Sequence, residues 1–105
     1  MKKSDKFYSV APMMGKTDSF FCYLIYLINK KTIVYTEMMH AETIIRTNIL
    51  KNYNNLKNIK NVAIQIAGND PLRLALAAKK ASEKDFYEIN INCGCPSNRV
   101  VAGSF

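Results

Sequence analysis

Along this chain the apolar and polar positions change period several times, and each change marks an element. Tyr87, Ile89 and Ile91 alternate with Glu88, Asn90 and Asn92. A period of two predicts a strand buried against apolar material on one side and lined by polar groups on the other. Gly94 and Pro96 then break the pattern and turn the chain, leaving Asn92 and Cys95 at the strand's carboxyl end. Upstream, Phe7 to Ala11 is a short β-prone run that Pro12 ends, with Met13, Met14 and Gly15 in a loop. Thr17 or Asp18 can cap a helix in which Phe20, Leu24, Leu27 and Ile28 recur at helical spacing, widened by Phe21 and Ile25. That stripe reads as core.

Thr32 to Thr36 predicts a second strand with Glu37 to His40 at its carboxyl end, and Ala41 to Ile45 a short helix. Asn48 to Lys60 is rich in Asn and Lys and reads as a solvated helix-and-loop connection. Val62 to Ile66 is a third strand, with Gln65 the one polar residue in its apolar run. Asp70 as N-cap and Pro71 at the first helical position open a helix that continues to about Glu83. Phe86 to Asn92 is the fourth strand. The order β-α-β-α-β-α-β predicts an α/β fold with parallel pairing and right-handed crossovers. After the fourth strand no helix follows, and both sheet edges would stay open, so the expectation is the amino-terminal part of a larger fold.

Composition narrows the function classes. The 105 residues include only Cys22, Cys93 and Cys95, an odd number without a secretory signal, which argues against a disulfide framework and for a reducing cytoplasm. Cysteines one residue apart and a single His lack the spacing of a metal site, so no metal is expected. Phe20 to Ile28 is too short to span a membrane, and no membrane partner is expected. The net charge of +7 suits a polyanionic partner. The twelve Lys against three Arg, with eleven Asn and eleven Ile, suits AT-rich codon usage equally well.

In a parallel sheet all strand carboxyl ends share one rim. The Pro12–Met14 loop, Glu37 to His40, Gln65 to Gly68 and Asn92 to Cys95 therefore converge. Cys95 reads as a nucleophile, a general acid or a small buried hydrophobe, and Cys93 as filler. Gln65 and Asn92 either meet the edge of a heterocycle or bond to neighbouring backbone. Glu37 reads as a base or as the partner of a lysine, and His40 as a rim residue.

Ser9-Val10-Ala11-Pro12-Met13, Tyr35-Thr36-Glu37-Met38, Gln65 to Pro71 and Glu88 to Val100, with Asn92-Cys93-Gly94-Cys95-Pro96 as its most specific part, together resemble successive signatures of the tRNA-dihydrouridine synthases, bacterial A-type subgroup. The resemblance covers Phe7 to Phe105. It implies that residues 1–105 are the first four β-strands and three α-helices of an FMN-binding TIM (β/α)8 barrel. The carboxyl half of the barrel and a helical tRNA-binding domain would be absent. The implied reaction is NADPH-driven reduction of a D-loop uridine of tRNA to 5,6-dihydrouridine, with hydride from reduced FMN reaching C6 and a thiol protonating C5. By motif match the acid is Cys95. Pro12, Met13 and Met14 would lie beside the isoalloxazine ring and Gln65 on its pyrimidine edge. Asn92 would meet the uridine or its tRNA, and His40 the tRNA. The alternatives are an inactive half-barrel remnant, held together if at all by self-association, and a flavin barrel of the dihydroorotate dehydrogenase type, which explains Ala11-Pro12-Met13 but not Asn92 to Pro96.

Overall fold

The computed structural model describes residues 8–94, so Cys95 and the role expected of it lie outside the described residues. The element order is β1 (Tyr8–Val10), α1 (Ser19–Ile28), β2 (Thr32–Tyr35), β3 (Met39–His40) and α2 (Ala41–Arg46). A 3-10 helix (Ile49–Leu56), β4 (Val62–Ala67), α3 (Pro71–Ser82) and β5 (Glu88–Ile91) follow. Every pairing is parallel: β1 with β2, β2 and β3 with β4, and β4 with β5.

The strand expected over Thr32 to Thr36 is thus longer than anticipated and interrupted. Val34 and Tyr35 face Val62 and Ala63, whereas Met39 and His40 face Ile66 and Ala67. Three residues, Thr36, Glu37 and Met38, therefore oppose two, Ile64 and Gln65. β2 and β3 form one strand position broken by a one-residue bulge, the device that re-aims side chains beside functional sites. The buried Thr36 keeps the ladder satisfied across the break. Its N–H donates to Ala63 O at 2.8 Å, and its hydroxyl accepts from Gln65 N at 3.1 Å. Among the described residues the sheet consequently has four strand positions.

The helices among the described residues pack on one face. Ile44, Leu50, Ile64, Ile66, Ala77 and Ala81 form a core between α2, α3 and β4. Cys22, Val34, Leu56, Ile59 and Val62 form a second between α1, the 3-10 helix and the sheet. The Asn/Lys-rich connection is therefore only partly solvated, because Leu50, Leu56 and Ile59 anchor it to the core. Asp70 caps α3 as expected, its Oδ1 accepting from Leu72 N at 3.0 Å. Asp18 rather than Thr17 caps α1, accepting from Phe21 N at 2.9 Å.

Two burial expectations fail. Phe20, Leu24, Leu27 and Ile28 are exposed, while α1 buries Ser19 and Cys22 and packs Phe21, Ile25 and Tyr26 inward. The helix is apolar around most of its circumference, so spacing alone does not select a face. Cys22 and Val34, both fully buried, share the second core. The apolar side of β5 is likewise uncovered: Ile89 and Ile91 are 36% and 41% exposed.

Candidate functional site at the carboxyl-end rim

Residues paired across a sheet point to the same side. Tyr35, Ala63 and Glu88 form one rung on the helix-free face, and Gln65 and Asn90 the next. Ala63 is fully buried and carries only a methyl group, so Tyr35 and Glu88 meet across it, the hydroxyl donating to Glu88 Oε1 at 2.7 Å. That bond, reinforced by burial and the carboxylate's charge, pushes the Tyr35 phenol up to about 12. One rung nearer the rim, Gln65 Nε2 donates to Asn90 Oδ1 at 2.8 Å. Above it, Asn92 Nδ2 donates to the Met38 sulfur at 3.1 Å and to Gln65 Oε1 at 3.4 Å. Asn92 Oδ1 accepts from Gly94 N at 3.0 Å, which shapes the turn after β5. The result is a ladder of polar side chains climbing one face of the sheet to its carboxyl edge.

The loop after β1 is tied to the same edge. Met13 N donates to Thr17 Oγ1 at 3.1 Å, and Lys16 N and Thr17 N both donate to Met13 O at 3.0 Å. Gly15, at φ +73°, turns its N–H onto Glu37 Oε2 at 2.5 Å, a backbone conformation that a side chain would strain. Glu37 N in turn donates to Thr17 O at 3.2 Å. Among the described residues Glu37 accepts a backbone N–H through Oε2 and makes no ion pair with a lysine. Its carboxylate latches the first loop to the bulge. The latch leaves Met13 and Met14 42% and 44% exposed, with Pro12 half-buried behind them.

His40 caps α2, its Nδ1 accepting from Glu42 N at 3.1 Å. An accepting Nδ1 makes the proton-bearing nitrogen Nε2 in the neutral ring. A groove of about 620 Å³ beside the rim includes Met14, Glu37, Met38 and His40 in its wall. Another, of about 460 Å³, lies at the amino ends of β4 and β5, away from these residues. Cys93 is exposed rather than filler, its thiol 3.8 Å from Ile91 O. Cys22 is fully buried, and desolvation pushes its thiol up to about 12.

Part of the positive charge is structural. Arg73 forks onto Glu42 with 2.6 and 2.9 Å bonds, Arg46 joins it at 2.9 Å, and the Arg73 bond is the main reason the Glu42 carboxyl sits below its usual range. Lys80 donates to Ile44 O at 2.7 Å and Thr47 O at 2.8 Å, closing the carboxyl end of α2. Arg73 and Lys80 hold α2 against α3. No helix among the described residues is long and apolar enough to cross a membrane.

Gln65 and Asn92 meet in one hydrogen bond, Met14 and His40 line one groove, and the loop that carries Met13 is tied to this edge through Gly15 and Glu37. Tyr35, Glu88 and Asn90 were missed as members of the ladder. Their signal was available, since each is a polar residue in phase with Gln65 or Asn92 on strands expected to pair.

A parallel α/β sheet with its polar groups gathered at the strand carboxyl ends defines an α/β protein of the open-rim kind, whose chemistry sits in the loops beyond those ends. The family model described as dihydrouridine synthase (Dus) matches residues 9–105. The tRNA-dihydrouridine(20/20a) synthase of Synechocystis sp. is 41% identical over 97 residues, covering 92% of this chain and 29% of that protein. The enzyme of the same name from Xanthomonas axonopodis pv. citri is 43% identical over 97 residues, again 92% of the chain and 29% of the relative. That from Shewanella oneidensis is 38% identical over 106 residues, 99% and 31% respectively. The chain belongs to the dihydrouridine synthase family. It spans 29% to 31% of the length of these relatives.

Proposed function

We propose that this chain is the amino-terminal part of the TIM-barrel catalytic domain of an FMN-dependent tRNA-dihydrouridine synthase, acting in the cytoplasm on the uridines its relatives are named for, 20 and 20a. The observation that carries the reading is the hydrogen-bonded Gln65–Asn92 pair at the carboxyl ends of β4 and β5 in a chain with this family membership.

The residues fit a flat heterocycle with a hydrogen-bonding edge. Two exposed methionines supply a polarizable apolar ledge, and a carboxamide offers a donor and an acceptor beside it. Pro12, Met13 and Met14 would lie beside the isoalloxazine ring of FMN and Gln65 would bond its pyrimidine edge, oriented by Asn90. When bound, FMN recharged by NADPH supplies the hydride. Asn92 would hold the target uracil by exchanging its Met38 contact for an edge of the base, and His40 Nε2–H would face the tRNA. Cys95 would donate the proton to C5. A thiol with an ordinary pKa of about 8.5 is mostly protonated at neutral pH, as an acid must be.

The test is incubation of the chain with tRNA, FMN and NADPH, scored by dihydrouridine content. Dihydrouridine at positions 20 and 20a that is lost in Cys95→Ala supports the reading. Product undiminished in Cys95→Ala removes that residue from the mechanism, and no product with the intact chain removes activity from this length of polypeptide.

A further inference from the structure

We infer that Asn92 is a positioning residue for Gln65: it holds the Gln65 amide with its carbonyl toward the rim, so that the site takes a heterocycle through an imide N–H. The inference rests on the reading of this rim as a flavin site and deepens it by naming the ligand edge that Gln65 meets.

A carboxamide has nearly the same shape either way round, so its partners decide which end donates and which accepts. Two groups that cannot reverse their roles hold Asn92. The backbone N–H of Gly94 only donates, and Asn92 Oδ1 accepts it at 3.0 Å. The Met38 thioether only accepts, and Asn92 Nδ2 donates to it at 3.1 Å. Turning the Asn92 amide over would set N–H against N–H at Gly94 and oxygen against sulfur at Met38. Both groups are placed by irregular backbone, Gly94 in the turn after β5 and Met38 in the bulge before β3.

The direction fixed at Asn92 then propagates. Asn92 Nδ2 also donates to Gln65 Oε1 at 3.4 Å, which turns the Gln65 carbonyl to the rim. Gln65 Nε2 faces inward, where it donates to Asn90 Oδ1 at 2.8 Å. The backbone of Gln65 is held as well, because β4 is paired on both sides and Thr36 Oγ1 accepts from Gln65 N at 3.1 Å. Asn90 Nδ2 donates to no described residue, so the series ends there. Every bond runs one way, from Gly94 through Asn92 and Gln65 to Asn90.

The rim therefore offers an acceptor, Gln65 Oε1, beside a donor, Asn92 Nδ2. The complementary ligand edge is an N–H next to a carbonyl, which is the imide of a flavin's pyrimidine ring. An imide that is alkylated at nitrogen faces Gln65 Oε1 with no proton to give and leaves that carbonyl unpaired.

Side-chain amide hydrogen exchange in the isotope-labelled full chain, without ligand, reads the direction. The NH2 groups of Asn92 and Gln65 should exchange at least about 10-fold more slowly than that of Asn90. Two variants make the same change of charge with opposite outcomes. Asn90→Asp still accepts from Gln65, so the Asn92 NH2 stays protected. Asn92→Asp accepts but cannot donate, so Gln65 turns over, Asn90 turns with it, and the Asn90 NH2 becomes protected. A merely structural Asn92 would instead loosen all three amides together. Flavin binding, followed by fluorescence quenching, reads the consequence. The unsubstituted chain should bind FMN at least about 10-fold more tightly than FMN methylated at the imide nitrogen, and in Asn92→Leu that preference should fall below about 3-fold.

A protected Asn90 NH2 in the unsubstituted chain overturns the inference. So do an Asn90 NH2 that stays unprotected in Asn92→Asp, an Asn92 NH2 released in Asn90→Asp, equal binding of the two flavins, or a preference for FMN that survives in Asn92→Leu. If Asn92→Asp loses the far-UV circular dichroism of the chain, Asn90→Asp and Asn92→Leu decide. A chain that binds neither flavin overturns the proposed function, and the exchange pattern then still decides the direction of the bonds.

Discussion

β4 and β5 are adjacent parallel strands with the same alternation and very different surroundings. In β4, Val62, Ile64 and Ile66 are 1%, 0% and 0% exposed beneath α2, α3 and the 3-10 helix. In β5, Ile89 and Ile91 point to the same side of the sheet and are 36% and 41% exposed. On the opposite side the two strands behave alike: Gln65, Asn90 and Asn92 form one hydrogen-bonded series. Alternation therefore tells which residues share a face. Burial of that face depends on which helices arrive to cover it.

The largest effect should separate the two strands by stability. Ile64→Ala removes a fully buried side chain from the core between α2 and α3, and should cost about 3 kcal/mol in urea unfolding. A cost below about 1 kcal/mol would mean that the β4 core is loosely packed and that the contrast with β5 is illusory. Next comes the bulge. Thr36→Val keeps the shape but removes the hydroxyl that accepts from Gln65 N, which strands a backbone donor in the sheet interior. About 2 kcal/mol of destabilisation is expected. Product assays on a completed enzyme should suffer as well, since the same bulge aims Glu37 and Met38 at the rim.

The polar ladder gives a pH-dependent effect. The Tyr35 phenol is raised from 10.0 to about 12, chiefly by its hydrogen bond to Glu88. A raised pKa means that the bond's contribution is fully present below pH 10. It is lost as pH climbs through the folded value near 12, where phenolate and carboxylate repel. Absorbance titration of tyrosinate in the wild type and in Glu88→Gln should show one tyrosine moving back toward 10. An unchanged titration would show that Tyr35 and Glu88 do not pair in solution.

How much could be read from the chain follows the same division between faces and coverage. The alternation through Glu88–Ile91, the Asp70–Pro71 helix start and the lone Gln65 specified strand faces, a cap and a rim residue, because each depends on neighbours within a few positions. The family was legible for a related reason: its signatures lie in the short loops at the strand ends. What escaped depends on distant partners. α1 turns Cys22 into the core with Val34, Leu56, Ile59 and Val62, a choice of face that no local period encodes in a helix apolar nearly all round. The bulge at Thr36 appears only when β4's register is known, and Glu37 became a latch only because Gly15 brings its N–H within reach across 22 positions. Anchoring of the Asn/Lys-rich connection through Leu50 and Leu56 was obscured by the polar residues around them.

The smallest expected effect bears most directly on the contrast between the strands. Ile89→Ala removes a partly exposed side chain, so in dilute solution it should cost under about 1 kcal/mol, well below Ile64→Ala. Urea unfolding of the two variants side by side checks this, and a cost for Ile89→Ala as large as that of Ile64→Ala would mean that β5 is covered as fully as β4.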